Sequence, residues 1–191
     1  MKSRMLILSA SILLASPVAM AAETVNGMIN FEGKVVANTC KLASANGDAA
    51  TINVNMGTVS ADDIGNVNAP KFLSSSSGRA NFDVVCNGPG TVSMKFAAKA
   101  SELSADKKSI RVNNGTPSAG FAQGVGIAIY DGTGAGTQAF DLANGDLLKS
   151  HKFNEAGSLN LRFAAAYVAE DPTKIKAGVA NASVPFTMTY E

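Results

Sequence analysis

The 191 residues carry 16 basic and 15 acidic side chains for a net charge of +1, with one histidine, two cysteines and no tryptophan. That balance argues against nucleic-acid binding, which needs a concentrated basic face, and one histidine excludes the multi-histidine site of a copper–zinc sandwich enzyme. The length suits one domain able to bury a real core.

Lys2 and Arg4 give a basic start, residues 5–15 are apolar, Pro17 breaks the run, and Ala19-Met20-Ala21 supplies a small-x-small site. This is the pattern of a secretion signal, residues 1–22, cut after Ala21 or Ala22. The apolar run is short against the roughly 20 residues of a membrane span. Without Lys2 and Arg4, 14 basic residues face 15 acidic ones, a net of −1.

Residues 23–33, ETVNGMINFEG, follow. Val25, Gly27, Ile29 and Phe31 fall on one side of an extended chain and Thr24, Asn26, Met28, Asn30 and Glu32 on the other, the period of a half-buried strand. Gly33 alone separates this run from the β-rich residues 34–42, which leaves no room for a hairpin. An amphipathic strand at a free terminus must pair somewhere. Another molecule is one candidate; folding back into its own domain as an ordinary N-terminal strand is the other.

Cys40 and Cys86 both lie in the exported part. In an oxidising compartment they most simply form one disulfide, and neither has the neighbours that a metal site or a reactive thiol would need. A bridge over that loop contributes about 4 kcal/mol in the chain-entropy account.

The remainder alternates as strands. Ala80, Phe82, Val84 and Cys86 share one face; so do Val92, Met94, Phe96 and Ala98. Val125, Ile127 and Ile129 make a third row, Leu159, Leu161, Phe163, Ala165 and Tyr167 a longer fourth, and Val184, Phe186, Met188 and Tyr190 the last. Turn signals separate them at Asn46-Gly47, Asn87-Gly88-Pro89-Gly90, Asn114-Gly115, Asp131-Gly132 and Asn144-Gly145. Residues 60–64 and 99–106 suit short helical turns, and residues 65–78 a surface loop. Many short strands with such punctuation predict an all-β, immunoglobulin-like sandwich. Pro185 interrupts the last row. Because proline cannot donate to a ladder, it predicts a final strand with one side not fully paired within its own domain.

Residues with catalytic potential lead nowhere. His151 stands between Lys149 and Lys152 in a polar run, with no serine elbow for it to serve. Gly132, Gly134 and Gly136 precede no helix and suit a flexible hairpin better than a phosphate loop. Asp62-Asp63 and Glu170-Asp171 lack calcium spacing and read as solvated loop charges. Asn114-Gly115-Thr116 and Asn181-Ala182-Ser183 fit the glycosylation triplet, which matters only in a host that glycosylates. No catalytic residue, metal site, cofactor, nucleic-acid partner or small-molecule substrate is expected.

The unpaired front strand and the incomplete rear edge, together with TVNGMINFEGKVVANTC, the Cys40–Cys86 pair, GVGIAIYDGTGAG, FAAAY at 163–167 and the terminal VPFTMTYE, resemble the subunits of chaperone–usher fimbriae, and within them the type 1 major subunit. The resemblance implies an incomplete immunoglobulin-like sandwich over residues 34–191, completed by a donor strand from a neighbouring subunit. It implies that residues 23–33 are that donor, with Val25, Gly27, Ile29 and Phe31 entering the neighbour's groove, and that Val184, Phe186, Met188 and Tyr190 wall this subunit's own. Implied partners are identical or related pilin subunits, a periplasmic chaperone and an outer-membrane usher. The implied destination is the cell-surface fimbrium, reached through the periplasm, and the implied role is a polymerising structural subunit that supports adhesion. A minor adaptor or tip-associated subunit, or a stand-alone sugar-binding sandwich, is the alternative. Against a tip adhesin stand the donor strand and a length too short for an extra lectin domain; against sugar binding stands the scarcity of stacking aromatics.

Overall fold

The computed structural model describes residues 28, 39–44, 47–48, 51–72, 78–132 and 138–191. The chain divides into two compact units, Met1–Val35 and Val36–Glu191. Of the first only Met28 is described, and its side chain is exposed.

The second unit carries strands β1 (Cys40–Ser44), β2 (Gly47–Asp48), β3 (Arg79–Cys86), β4 (Gly90–Phe96), β5 (Ser109–Arg111), β6 (Val125–Asp131), β7 (Asp146–Phe153), β8 (Gly157–Ala169) and β9 (Phe186–Tyr190). They form two sheets, ordered β2-β1-β3-β8-β6-β5 and β7-β4-β9, with antiparallel pairing between neighbouring strands. Short 3₁₀ turns occupy Ala61–Asp63 and Ala100–Glu102, within the two segments where the sequence suggests them.

Alternation sets the core. Phe82, Val84 and Cys86 of β3 and Val92, Met94 and Phe96 of β4 turn inward from opposite sheets and meet Ile127, Ile129 and Phe163. The turn at residues 87–89 therefore joins strands of different sheets. A period-2 row reads the same whichever sheet it enters, so the sequence marks the strand but not its neighbour. Cys40 and Cys86 face each other across β1 and β3, 4.1 Å apart at Cα, and are joined by a disulfide.

One expectation is refined and one corrected. Described residues 65–72 of the expected surface loop are strapped across the outside of the larger sheet. Ala169 N–H donates to the Gly65 carbonyl at 2.9 Å, the Tyr130 hydroxyl to the Val67 carbonyl at 3.0 Å, and Phe72 meets the Tyr130 ring edge-on. The cause is a second apolar patch on that outer face (Ala128, Tyr130, Ala166 and Val168), which must be covered. The serines at 74–77 lie outside the described residues.

Glu170 is not a solvated loop charge. Its side chain is 21 % exposed, with its carboxylate 3.4 Å from Arg111 Nε and accepting from Ser109 Oγ at 3.3 Å. Burial pushes this carboxyl up, opposed by Arg111 and Ser109. Its neighbour Asp171 does lie at the surface, where it caps the 3₁₀ turn Pro172–Lys174. Hydrogen bonds from Lys174 and Thr173 hold its carboxyl down at about 2.

Candidate functional site: a groove between two strand edges

The smaller sheet ends on β9, and the direction of its backbone groups follows from register. Thr91 and Glu191 exchange both hydrogen bonds (3.0 and 2.9 Å), and Ala97 N–H donates to the Pro185 carbonyl at 2.9 Å. Pro185, Thr187, Thr189 and Glu191 therefore turn their backbone groups toward β4. Val184, Phe186, Met188 and Tyr190 turn theirs the other way, where no described residue meets them. β9 is an edge strand, yet Pro185 is not the mark of that open side. Its missing donor faces β4, at the residue just before β9 begins, a strand-start position that tolerates proline.

Across from β9 runs a second edge that the sequence reading passed over. Residues 51–57, TINVNMG, belong to no sheet but alternate in burial: Ile52, Val54 and Met56 are half-buried and the residues between them exposed. The segment is moored by Gly78, whose N–H donates to the Asn55 carbonyl at 2.8 Å. The backbone groups of residues 52, 54 and 56 meet no described residue. Strict alternation over seven residues was signal enough to find this wall.

Between the edges lies a groove of about 1180 Å³. Ile52, Val54 and Met56 line one side, and Ala180, Ala182, Val184 and Phe186 the other. Ile110, Ile127, Ile129, Phe163 and Tyr167 form its floor. Tyr167 donates its hydroxyl to the Ala180 carbonyl at 3.3 Å, and burial pushes that hydroxyl up, so it stays neutral. Lys99 and Glu102 are the charged residues of the lining. The shape and lining suit an extended, uncharged chain with apolar side chains pointing down and backbone groups free to pair at the sides.

The two edges of the smaller sheet differ. β7 carries Lys149 and Lys152 and an irregular register with β4, both devices that discourage strand addition. β9 has neither charge nor bulge before Glu191. The edge left receptive is the one beside the groove.

Of the expected wall residues, Val184 and Phe186 line the groove, Met188 continues the row against the core, and Tyr190 is 40 % exposed at the strand end. The expected donor residues Val25, Gly27, Ile29 and Phe31 lie outside the described residues. His151, on β7, packs edge-on against Phe153 with ring centroids 4.9 Å apart. Among the described residues no His, Cys, Asp and Glu gather into a group able to hold a metal ion. Two of the three tyrosines, Tyr130 and Tyr167, are buried and unable to stack on a sugar.

A family model described as fimbrial protein matches residues 29–191. The chain belongs to the fimbrial protein family. This fimbrial subunit is 28 % identical to the fimbrial subunit type 1 of Salmonella typhimurium over 193 aligned residues, 95 % of each chain. Among solved structures, a chain of a chaperone–usher pilus is similar at a TM-score of 0.51 and 18 % identity, covering 91 % of this chain and all of that one. The P pilus rod subunit PapA is similar at 0.49 and 15 %, covering 80 % of this chain and 99 % of its own. The protein is a fimbrial subunit, and its fold, an open and incomplete immunoglobulin-like sandwich, is shared with a chaperone–usher pilus chain. It polymerises with other pilin subunits in a surface fimbrium.

Proposed function

We propose that this subunit assembles by strand donation and works through binding surfaces alone, without catalysis, metal or cofactor. The observation that carries the reading is the open edge of the last strand facing the unpaired segment 51–57 across a nearly uncharged apolar groove. Residues 23–33 of one subunit enter the groove of the next, whose body is residues 34–191. Val25, Ile29 and Phe31 point into the floor, and Gly27 sits where the groove admits no side chain. Val184, Phe186, Met188 and Tyr190 form the receiving strand. Backbone pairing supplies affinity and buried side chains supply specificity. Each buried apolar residue contributes very roughly 1.5–3 kcal/mol.

Every subunit gives a strand to one neighbour and receives one from another, a heterologous contact that does not close and so builds a fibre. After export under residues 1–22, a periplasmic chaperone fills the groove with a strand of its own, and the outer-membrane usher exchanges that strand for the neighbour's. An uncovered apolar edge invites aggregation, which is the physical need for such a partner. Ile29→Asp or Phe31→Asp should leave the subunit soluble with its chaperone while abolishing polymerisation, read by fibre yield and by the ladder of denaturation-resistant oligomers. Normal fibres from either variant would end the donor assignment.

A further inference from the structure

Asn113, Asn114 and Gly115 run consecutively through left-handed backbone, at φ 52°, 51° and 75°. Residues other than glycine visit that region singly and at a cost, and they persist there only when their surroundings hold them. Here the holding contacts lie behind the groove wall. β4 leaves the last strand after Ala97, whose N–H reaches the Pro185 carbonyl, so residues 181–183 have no strand at their back.

The left-handed turn occupies that place. Asn113 N–H donates to the Asn181 carbonyl at 2.7 Å. Asn114 Nδ2 donates to the Ser183 carbonyl at 2.9 Å, and Ser183 N–H donates to Asn114 Oδ1 at 3.0 Å. A carboxamide offers a donor and an acceptor side by side, as a peptide unit does. Asn114 thus gives Ser183 the two bonds of an antiparallel partner, and the turn binds the wall through Asn181 and Ser183. Ala180, Ala182 and Val184 are left facing the groove, which all three line.

We propose that Asn114 is a positioning residue for strand donation: its amide replaces the missing strand behind residues 181–183 and holds that half of the groove wall in extended register. The inference rests on the groove being a strand acceptor. Asn114 acts through Ser183, so its loss should loosen one end of the bound strand and leave the β9 end held.

The test compares fibres assembled from the full mature chain with those of Asn114→Gly and Ser183→Ala. Glycine accepts the left-handed backbone without strain, so Asn114→Gly removes the amide and spares the turn. The hydrogen bonds with Asn114 use only the Ser183 backbone, so Ser183→Ala should match the parent. Amide hydrogen exchange should show Ala182 and Val184 losing protection in Asn114→Gly while Met188 and Tyr190 keep it. Subunits should also leave these fibres in denaturant about tenfold faster, the scale of one or two lost hydrogen bonds. Unchanged protection and dissociation would overturn the proposal, as would a loss spread evenly over residues 182–190 and into β3 and β8. Parent fibres with the amides of Ala182, Val184, Phe186, Met188 and Tyr190 all unprotected would instead remove the acceptor reading itself.

Discussion

Gly78 lies at φ +69°, its N–H on the Asn55 carbonyl and its own carbonyl accepting from Ala165 N–H. It ties the free wall at residues 51–57 to the middle of β8. A Cβ there would drive into the Ala165 carbonyl, and the left-handed backbone would add strain. Gly78→Ala should cost about 1–3 kcal/mol in urea denaturation and weaken donor-strand binding through displacement of the wall. A variant as stable as the parent and binding equally would contradict this role. At this scale the sequence was unevenly legible. Cys40 and Cys86 could be paired because two thiols in an exported chain have few choices. Gly78 read only as the end of a loop and Asn114 only as a turn signal and a glycosylation triplet, because their partners lie far along the chain and a side-chain clasp on a distant backbone leaves no periodic trace.

Strand register makes the element scale testable. In β9 the odd-numbered residues bond β4 and the even-numbered ones turn their backbone groups to the open edge, so proline has opposite effects at adjacent positions. Thr189→Pro removes a donor from the β4 ladder and should destabilise the fold by about 1–3 kcal/mol. Tyr190→Pro removes a donor from the open edge; it should leave the melting temperature nearly unchanged while slowing fibre growth. Equal effects of the two substitutions on both readouts would refute the register argument. Most strands were legible here because burial on one face enforces period 2, as in residues 80–86 and 184–190. One exception has a physical cause. β7, whose register with β4 shifts at a bulge, loses its alternation. β8 by contrast was read through Tyr167, although its C-terminal half is buried on both faces under the strap at residues 65–72. Pro185 pointed to an edge strand that exists, although its own missing donor faces the paired side.

On the scale of the whole molecule, the domain buries a core and yet, among the described residues, leaves its sandwich open between residues 51–57 and 180–186. The disulfide fixes β1 against β3, and Gly78 and Asn114 hold the two groove walls from behind. Composition argued against nucleic acid and left too few histidines for a multi-histidine metal site, and alternation with turn signals pointed to the sandwich. The open groove had to be seen in three dimensions, because its walls are separated by more than a hundred residues of sequence. The central claim is that this groove takes a strand from outside the domain. Thermal unfolding of the oxidised 34–191 body, with and without a peptide of residues 23–33, tests it most directly, since a ligand that binds only the native state raises its stability by mass action. A large rise in melting temperature with the parent peptide, absent with the Phe31→Asp peptide, is the expected result. A body already stable and monomeric alone, with no shift from either peptide, would mean that the sandwich is complete and that strand donation is not how this subunit assembles.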